Sequence, residues 1–426
     1  MVRRKFLRLV APIAVFAAIS IWIGTAQNPT EAPAGFDTPI DNSAAQAQGN
    51  GMVLGANETL SDDMKTFMEE DDIADGLGPV YNARGCVDCH ANPVVGGTSI
   101  VTERRVGHRD VHGNFVNPTI TLNDGATQIA SRSLVNDRAI CAQAQEHVPT
   151  SEPIHALRAT TSTLGDGFVE AVDDSTLIGI AIAQTRLTGG RISGQVVQVP
   201  VAEAPGQVRV GRFGWKDQQA SLLSFAGDAY VNEQGITNRL FSTDSTPLCD
   251  NVADVEDKTD PANGLQDIDK FASFIRSTKV PPRDTALEFT PDAQQGEQLF
   301  HSIGCDLCHV SSMTTAPAGT AINGGKFSVP EALGSKTIHP YSDFLLHNIG
   351  TGDGIVQNGP QNTANKMRTT PLWGLRTRGR FMHDLLSATP GDAILRHGGE
   401  ASFVTGKYRF LTSTQKKQLI TFLNSL

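Results

Sequence analysis

The residues whose spacing carries chemistry are Cys86, Cys89 and His90, and again Cys305, Cys308 and His309. Each set reads Gly-Cys-x-x-Cys-His. That spacing is the attachment sequence of a c-type haem. The two thiols add to the haem vinyl groups, and the adjacent imidazole becomes the proximal iron ligand. A zinc site made of Cys-x-x-Cys pairs needs four N/S ligands brought together, and it leaves the His after each pair unexplained. Two copies in one chain predict two covalently bound haem c groups. The chemistry is then redox chemistry of iron, with ligation, burial and access supplied by the protein.

Certain elements must position these residues. Pro291 to Phe300 reads as a helix leading into the second motif. Ser61 to Asp71 reads as a short helix with a Met64/Phe67/Met68 stripe, and Asp75 to Asn82 turns the chain into the first motif. Lys216 to Val231, Asp267 to Ser277 and Thr414 to Leu423 read as further helices. Val94 to Leu122 reads as strand or loop, and Gly189 to Val210 as a small hairpin. The expected fold is mainly α: two cytochrome c-like haem domains with a small β-containing connecting segment. The expected divisions are a signal peptide (1–26), a flexible arm (27–60), an N-terminal haem domain with an inserted segment (61–280) and a C-terminal cytochrome c-like domain (285–426). Val280-Pro281-Pro282 marks the boundary.

The 426-residue length suits two or three domains. The formal charge of −10 carries no nucleic-acid signature. An acidic surface suits a basic redox partner, or serves solubility alone. Arg3, Arg4, Lys5 and Arg8 precede an apolar run from Leu9 to Ile23 and the small residues Gly24-Thr25-Ala26, the pattern of an export signal. The run falls short of the roughly 20 residues a spanning helix needs, and Pro12 interrupts it. Cleavage after Ala26 leaves no stable membrane span and places the protein in the periplasm or otherwise outside the cytoplasm. An uncleaved anchor is the alternative. Cys141 and Cys249 lie outside the haem motifs and most simply pair as a disulfide after export, the alternative being two free buried thiols.

Several stretches together resemble one family: Gly211-Arg212-Phe213-Gly214-Trp215-Lys216, Ala229-Tyr230 with Glu233 and Gly235-Ile236-Thr237, Tyr341-Ser342-Asp343-Phe344-Leu345-Leu346-His347, Thr370-Pro371-Leu372-Trp373-Gly374-Leu375 and His397-Gly398-Gly399-Glu400-Ala401. The chain resembles the di-haem oxidoreductase (peroxidase) family, once labelled thiol oxidoreductases. That family is similar to bacterial di-haem cytochrome c peroxidases and to the di-haem enzyme that matures methylamine dehydrogenase. The resemblance implies that peroxide, or a similar small oxidant, reacts at the N-terminal haem. The C-terminal haem receives electrons from a small redox protein. It also implies His397 as the second axial ligand opposite His309, counting forward from His383-Asp384, with Met382 and Met367 as competitors. His147 and His155 fall where the peroxidases place a displaceable His, and Glu170 where a distal carboxylate sits. The basic cluster Arg104, Arg105, His108, Arg109 and His112 reads as a solvated loop, or as propionate pairing or a distal ligand from one of its histidines. Trp373 is either a packed core residue or a relay between haems.

Two departures stand out. Leu385-Leu386 follow Asp384 where the family continues Gly-Arg. Arg378 and Arg380 occupy the run that holds calcium in the peroxidases, so calcium is possible but not predicted. Two other functions stay open: a non-enzymatic di-haem electron carrier, and a haem enzyme that oxidises a partner protein.

Overall fold

A computed structural model describes residues 28–36 and 49–426. The expected signal peptide and part of the expected arm lie outside the described residues. Described parts of the arm dock onto the body. Thr30–Glu31 adds a parallel strand beside Lys336–Ile338. Asn50 is buried and donates to the carbonyls of Arg276 and Thr278.

The helices are short and locally capped. The Thr59 hydroxyl accepts from the Asp62 amide and starts α1 (Leu60–Met68). Next come α2 (Asp166–Glu170), α3 (Asp174–Thr188), α4 (Leu222–Ala229) and α5 (Asp267–Ser277). One turn, α6 (Thr285–Glu288), precedes α7 (Pro291–Ile303), which Thr290 caps with Pro291 at its first position. α8 (Pro390–Arg396), α9 (Ser402–Phe410) and α10 (Ser413–Leu423) close the chain. The helix expected from Lys216 begins only at Leu222, because Gly214 and Asp217 take positive φ and fold that stretch into a tight turn. Beyond α4, Tyr230–Gln234 continues as a π-turn, closed by Gly235 in the left-handed region.

The expectation of a mainly α chain is overturned. Helix takes 30% of the structure and strand 16%, spread over many small sheets. The longest strand, Thr102–Arg109, pairs antiparallel with Ile154–Ala159 and also with Phe115–Val116 and Leu134–Val135. Most strands are two or three residues long, too short for alternation to register, and their partners are distant in sequence. The Gln198–Pro200/Val208–Val210 hairpin falls where the sequence places one.

Two main cores form. The smaller packs α7 against α10 and α9, with Phe300 and Phe422 ring centroids 5.2 Å apart. The crossing is so close that a Cβ on Gly296 would meet the Gln418 carbonyl at 2.1 Å. The larger core joins Phe168, Phe213, Leu222 and Ile268 to Met313, Ile338, Phe344 and Trp373. It therefore draws on both sides of the Val280-Pro281-Pro282 stretch.

Cys141 and Cys249 form a disulfide that closes a loop of 108 residues. It ties the strand region before α2 to the acidic loop before α5. Replacing both with serine should lower stability by about 2–4 kcal/mol, since the bond restricts the unfolded chain across a long loop. Urea melts of both proteins check this.

Candidate functional site: two cavities that meet at a tryptophan

Each Cys-x-x-Cys-His stretch forms a single tight turn. The His90 amide donates to the Cys86 carbonyl, and the His309 amide to the Cys305 carbonyl, each at 2.9 Å. The turns put two thiols and one imidazole on the wall of a cavity. One cavity is N-terminal, around Cys86, Cys89 and His90. The other is C-terminal, around Cys305, Cys308 and His309. Gly85 permits the first turn: a Cβ there would meet the Glu69 carbonyl at 2.1 Å.

Both imidazoles are anchored and neutral. His90 Nδ1 donates to the Gly97 carbonyl at 3.2 Å, and His309 Nδ1 to the Tyr341 carbonyl at 2.9 Å. Those bonds fix the tautomer and leave Nε2 as the ligating nitrogen. Burial pushes each down to about 4, aided at His309 by His397, so the neutral form that binds metal prevails near pH 7.

In the C-terminal cavity, His397 lies at the end of α8 with Nδ1 on the Ala393 carbonyl at 2.7 Å. Its ring centroid is 6.5 Å from that of His309. With metal–nitrogen bonds of about 2 Å, this spacing leaves room for one metal atom between the rings. Met382 and Met367 also line this cavity. Its walls are apolar (Phe300, Leu372, Leu375, Ile394, Val404, Leu419), but Arg368, Arg378 and Arg380 also border it. Among the described residues no carboxylate pairs with Arg378, whose guanidinium burial and the neighbouring Arg368 push down to about 10. Apolar walls with a buried guanidinium that no carboxylate neutralises suit a flat macrocycle with anionic edges, so the residues fit a haem.

The N-terminal cavity is built differently. Phe67, Phe271 and Ile275 form its apolar side, with Phe67 6.1 Å from the His90 ring. Opposite is a charged wall dictated by strand register. Glu103 pairs with Arg158 across the sheet, and Arg105 follows two residues on, so all three share one face. Arg105 holds Glu103 through two bonds of 2.7 and 2.9 Å. The π-turn adds Tyr230, Glu233 and Gln234 to the lining, with Tyr230 packed on Phe271. Glu233 shares a hydrogen bond with Glu103. Burial and then Glu103 push the Glu233 carboxyl up to about 7. Burial opposes the charge on Glu103, but Arg105 and Arg158 outweigh it and hold that carboxyl low. Arg158 is 1% exposed, and its Nη2 has no protein partner. A buried donor of that kind beside an apolar pocket fits the anionic edge of a haem here too. The described lining holds no second His and no Met.

The cavities share Ala159, Thr160 and Trp215. Trp215 donates Nε1–H to the Ala159 carbonyl at 2.7 Å and sits edge-on to His383, centroids 5.9 Å apart. The Ala159 amide in turn donates to the His383 carbonyl at 2.7 Å. Trp373, by contrast, is buried in the large core and lines neither cavity.

The structure brings the six motif residues and His397 to cavities, and leaves three other expected residues outside them. His147 and His155 are exposed, and His155 Nε2 bonds the Glu152 carbonyl. Glu170 is fully buried, bound to Arg276 through 2.7 and 2.9 Å bonds and to Asn323 at 2.9 Å. Its carboxyl is thus occupied in holding α2 to α5. Of the basic cluster, only Arg105 borders a cavity. His108 instead bonds Glu152 at 2.7 Å. Sequence reasoning missed Glu103, Glu233, Arg158 and Trp215 as cavity residues. Glu233 and Trp215 stand in stretches that carry the family resemblance, but nothing local marks them as facing a cavity.

The chain belongs to the di-haem oxidoreductase family, described as "Di-haem oxidoreductase, putative peroxidase", which matches residues 144–426. The first Cys-x-x-Cys-His lies ahead of the matched region. The protein is accordingly a haem oxidoreductase. No curated protein matches the chain by sequence. Among solved structures it is similar to hydrazine synthase of Kuenenia stuttgartiensis, with 12% identity, TM-score 0.41, and 99% of this chain and 100% of that one covered. It is also similar to a MauG-like protein associated with microbial copper homeostasis, with 16% identity, TM-score 0.32, and 66% of this chain and 92% of that one covered. No described helix is long and apolar enough to cross a membrane.

Proposed function

We propose that this chain is an exported di-haem c-type oxidoreductase that reduces hydrogen peroxide or a similar small oxidant with electrons from a small redox protein. The asymmetry of the two cavities carries the reading. His309 and His397 flank one, whereas the other offers His90 alone and faces it with a proton-sharing carboxyl pair. Bound there through Cys86/Cys89 and Cys305/Cys308, haem would supply electron storage and an oxidant-binding iron.

The chain's own residues have distinct parts. Reduction of peroxide to two waters needs two electrons and two protons. Glu233 holds one proton near neutral pH, with ionised Glu103 keeping it in place, and delivers it to the departing oxygen; the second proton comes from solvent, and both electrons from the redox protein. Arg158 and Arg105 set that charge balance and face the anionic edge of the cofactor. His397 keeps solvent and oxidant from the second cavity, leaving it to accept electrons. Trp215 fills the seam and carries electrons between cavities, with His383 packed on its edge.

Electron paramagnetic resonance of the oxidised protein tests this, before and after half-reduction and after peroxide. One low-spin and one peroxide-sensitive high-spin signal are expected. Two low-spin signals indifferent to peroxide would leave the electron-carrier reading. His397→Ala is expected to convert the low-spin signal to high-spin; if the signal persists, the ligand is Met382 or Met367.

A further inference from the structure

Asp217 is a buried acid that the proposed reaction does not use. It is 1% exposed, and no protein donor reaches either carboxylate oxygen. Its backbone is held at φ 51° in the tight turn after Trp215, where the Gly211 backbone packs against it. The nearest cation is Arg368, whose Nε lies 3.8 Å from Asp217 Oδ1 but is spent on the Gly214 carbonyl at 2.6 Å. Arg368 itself borders the C-terminal cavity.

A carboxylate without donors, out of water, is costly, so it stays ionised only while positive charge stands nearby, and the neutral acid is favoured once that charge is removed. That form binds its proton only as tightly as the surrounding charge permits. Arg368 and Arg212 favour ionisation, as does His347, whereas Asp343 opposes it. The charge in the C-terminal cavity lies just beyond Arg368. Each electron that arrives there removes one positive charge from this neighbourhood, and in a low-dielectric interior that change is poorly screened.

We infer that Asp217 is the proton-binding partner of the C-terminal redox centre: an electron entering that cavity draws one proton from solvent onto the Asp217 carboxylate. The electron comes from the external donor, the proton forms an O–H bond on Asp217, and the buried region keeps its net charge. Asp217 is a positioning residue for charge, not a group that touches substrate. Asp166, buried and also interacting with Arg368, is the competing proton carrier.

The inference rests on the proposed haem in the C-terminal cavity. Its test is the midpoint potential of the His309-side haem against pH in the intact haem-loaded protein. In the parent the potential should fall with pH, with a slope approaching 59 mV for each tenfold change in proton activity. Asp217→Asn should flatten the slope, and Asp166→Asn should keep it. A flat parent profile, or a slope that survives Asp217→Asn, overturns the inference. Should Asp217→Asn not fold, reduced-minus-oxidised infrared spectra of parent protein with isotope-labelled aspartate decide. A protonated aspartate carbonyl band must appear on reduction, and its absence overturns the inference. If no low-spin haem signal exists to titrate, the functional reading itself has failed.

Discussion

Glu233→Gln is expected to slow the reaction with hydrogen peroxide by about 10²–10⁴-fold, the usual weight of a positioned acid–base group. The substitution keeps the shape and the Asn82 contact, which at present runs from Asn82 Nδ2 to Glu233 Oε2 at 2.7 Å. It removes only the transferable proton. The loss should therefore appear in the rate of the peroxide step, with both haem spectra unchanged. The pH profile gives a second readout. Burial and Glu103 push the Glu233 carboxyl up to about 7. The parent rate should lose its proton donor as pH rises through that value, and the Gln variant should show no such limb. Glu103→Gln should act differently, because Glu103 is the charge that raises Glu233. Without it the Glu233 carboxyl ionises at lower pH, so the limb should move to lower pH rather than vanish. A Glu233→Gln enzyme with parental rate and pH profile would exclude this carboxyl from the chemistry.

Sequence makes some of this legible and not the rest, and the reason is range. The two Cys-x-x-Cys-His turns, the Thr290-Pro291 start of α7 and the span of α5 are local features, written in consecutive residues. His397 is placed by the family resemblance, and its ring lies 6.5 Å from that of His309 at the end of α8. The charged wall of the N-terminal cavity has no such local signature. Glu103 meets Arg158 only through the register of two strands 55 positions apart, and Glu233 arrives on a π-turn that no periodicity announces. The place of Trp215 is hidden for the same reason, whereas the core reading of Trp373 agrees with the structure. Trp373 and Trp215 sit in equally suggestive motifs, but only the folded turn at Gly214 and Asp217 aims Trp215 at the seam. The excess of strand over expectation arises likewise from pairings such as Thr30–Glu31 with Lys336–Ile338, which bring together distant ends of the chain.

The same long-range logic makes Asp353 a sensitive position for stability. Its carboxylate, 2% exposed at the side chain, takes Arg158 Nε at 2.7 Å and Lys216 Nζ at 2.9 Å. Lys216 is otherwise held by the carbonyls of Thr363, Ala364 and Lys366. Asp353→Asn leaves buried Lys216 without a counter-charge and Arg158 with only Glu103 at 3.6 Å, a change that costs about 3–5 kcal/mol where a buried pair is broken on one side. The sign of the pH dependence follows. Burial works against the Asp353 charge, but Arg158 and Lys216 outweigh it and hold the carboxyl at about 2. Its contribution is complete above the unfolded carboxylate range and is lost as pH falls through about 2. In the variant the deficit should shrink in alkali. Burial already holds Lys216 at about 8, against the partial support of Asp353. Without that support Lys216 gives up its proton more readily, so the folded variant binds fewer protons than the unfolded chain and gains stability as pH rises. Urea melts at pH 7 and at a pH above about 8 should therefore show a smaller difference between variant and parent at the higher value. An equal difference at both would mean that Arg158, and not Lys216, bears the uncompensated charge. Since Arg158 lines the N-terminal cavity and Lys216 follows Trp215, the substitution is also expected to disturb that cavity and the seam before the C-terminal one.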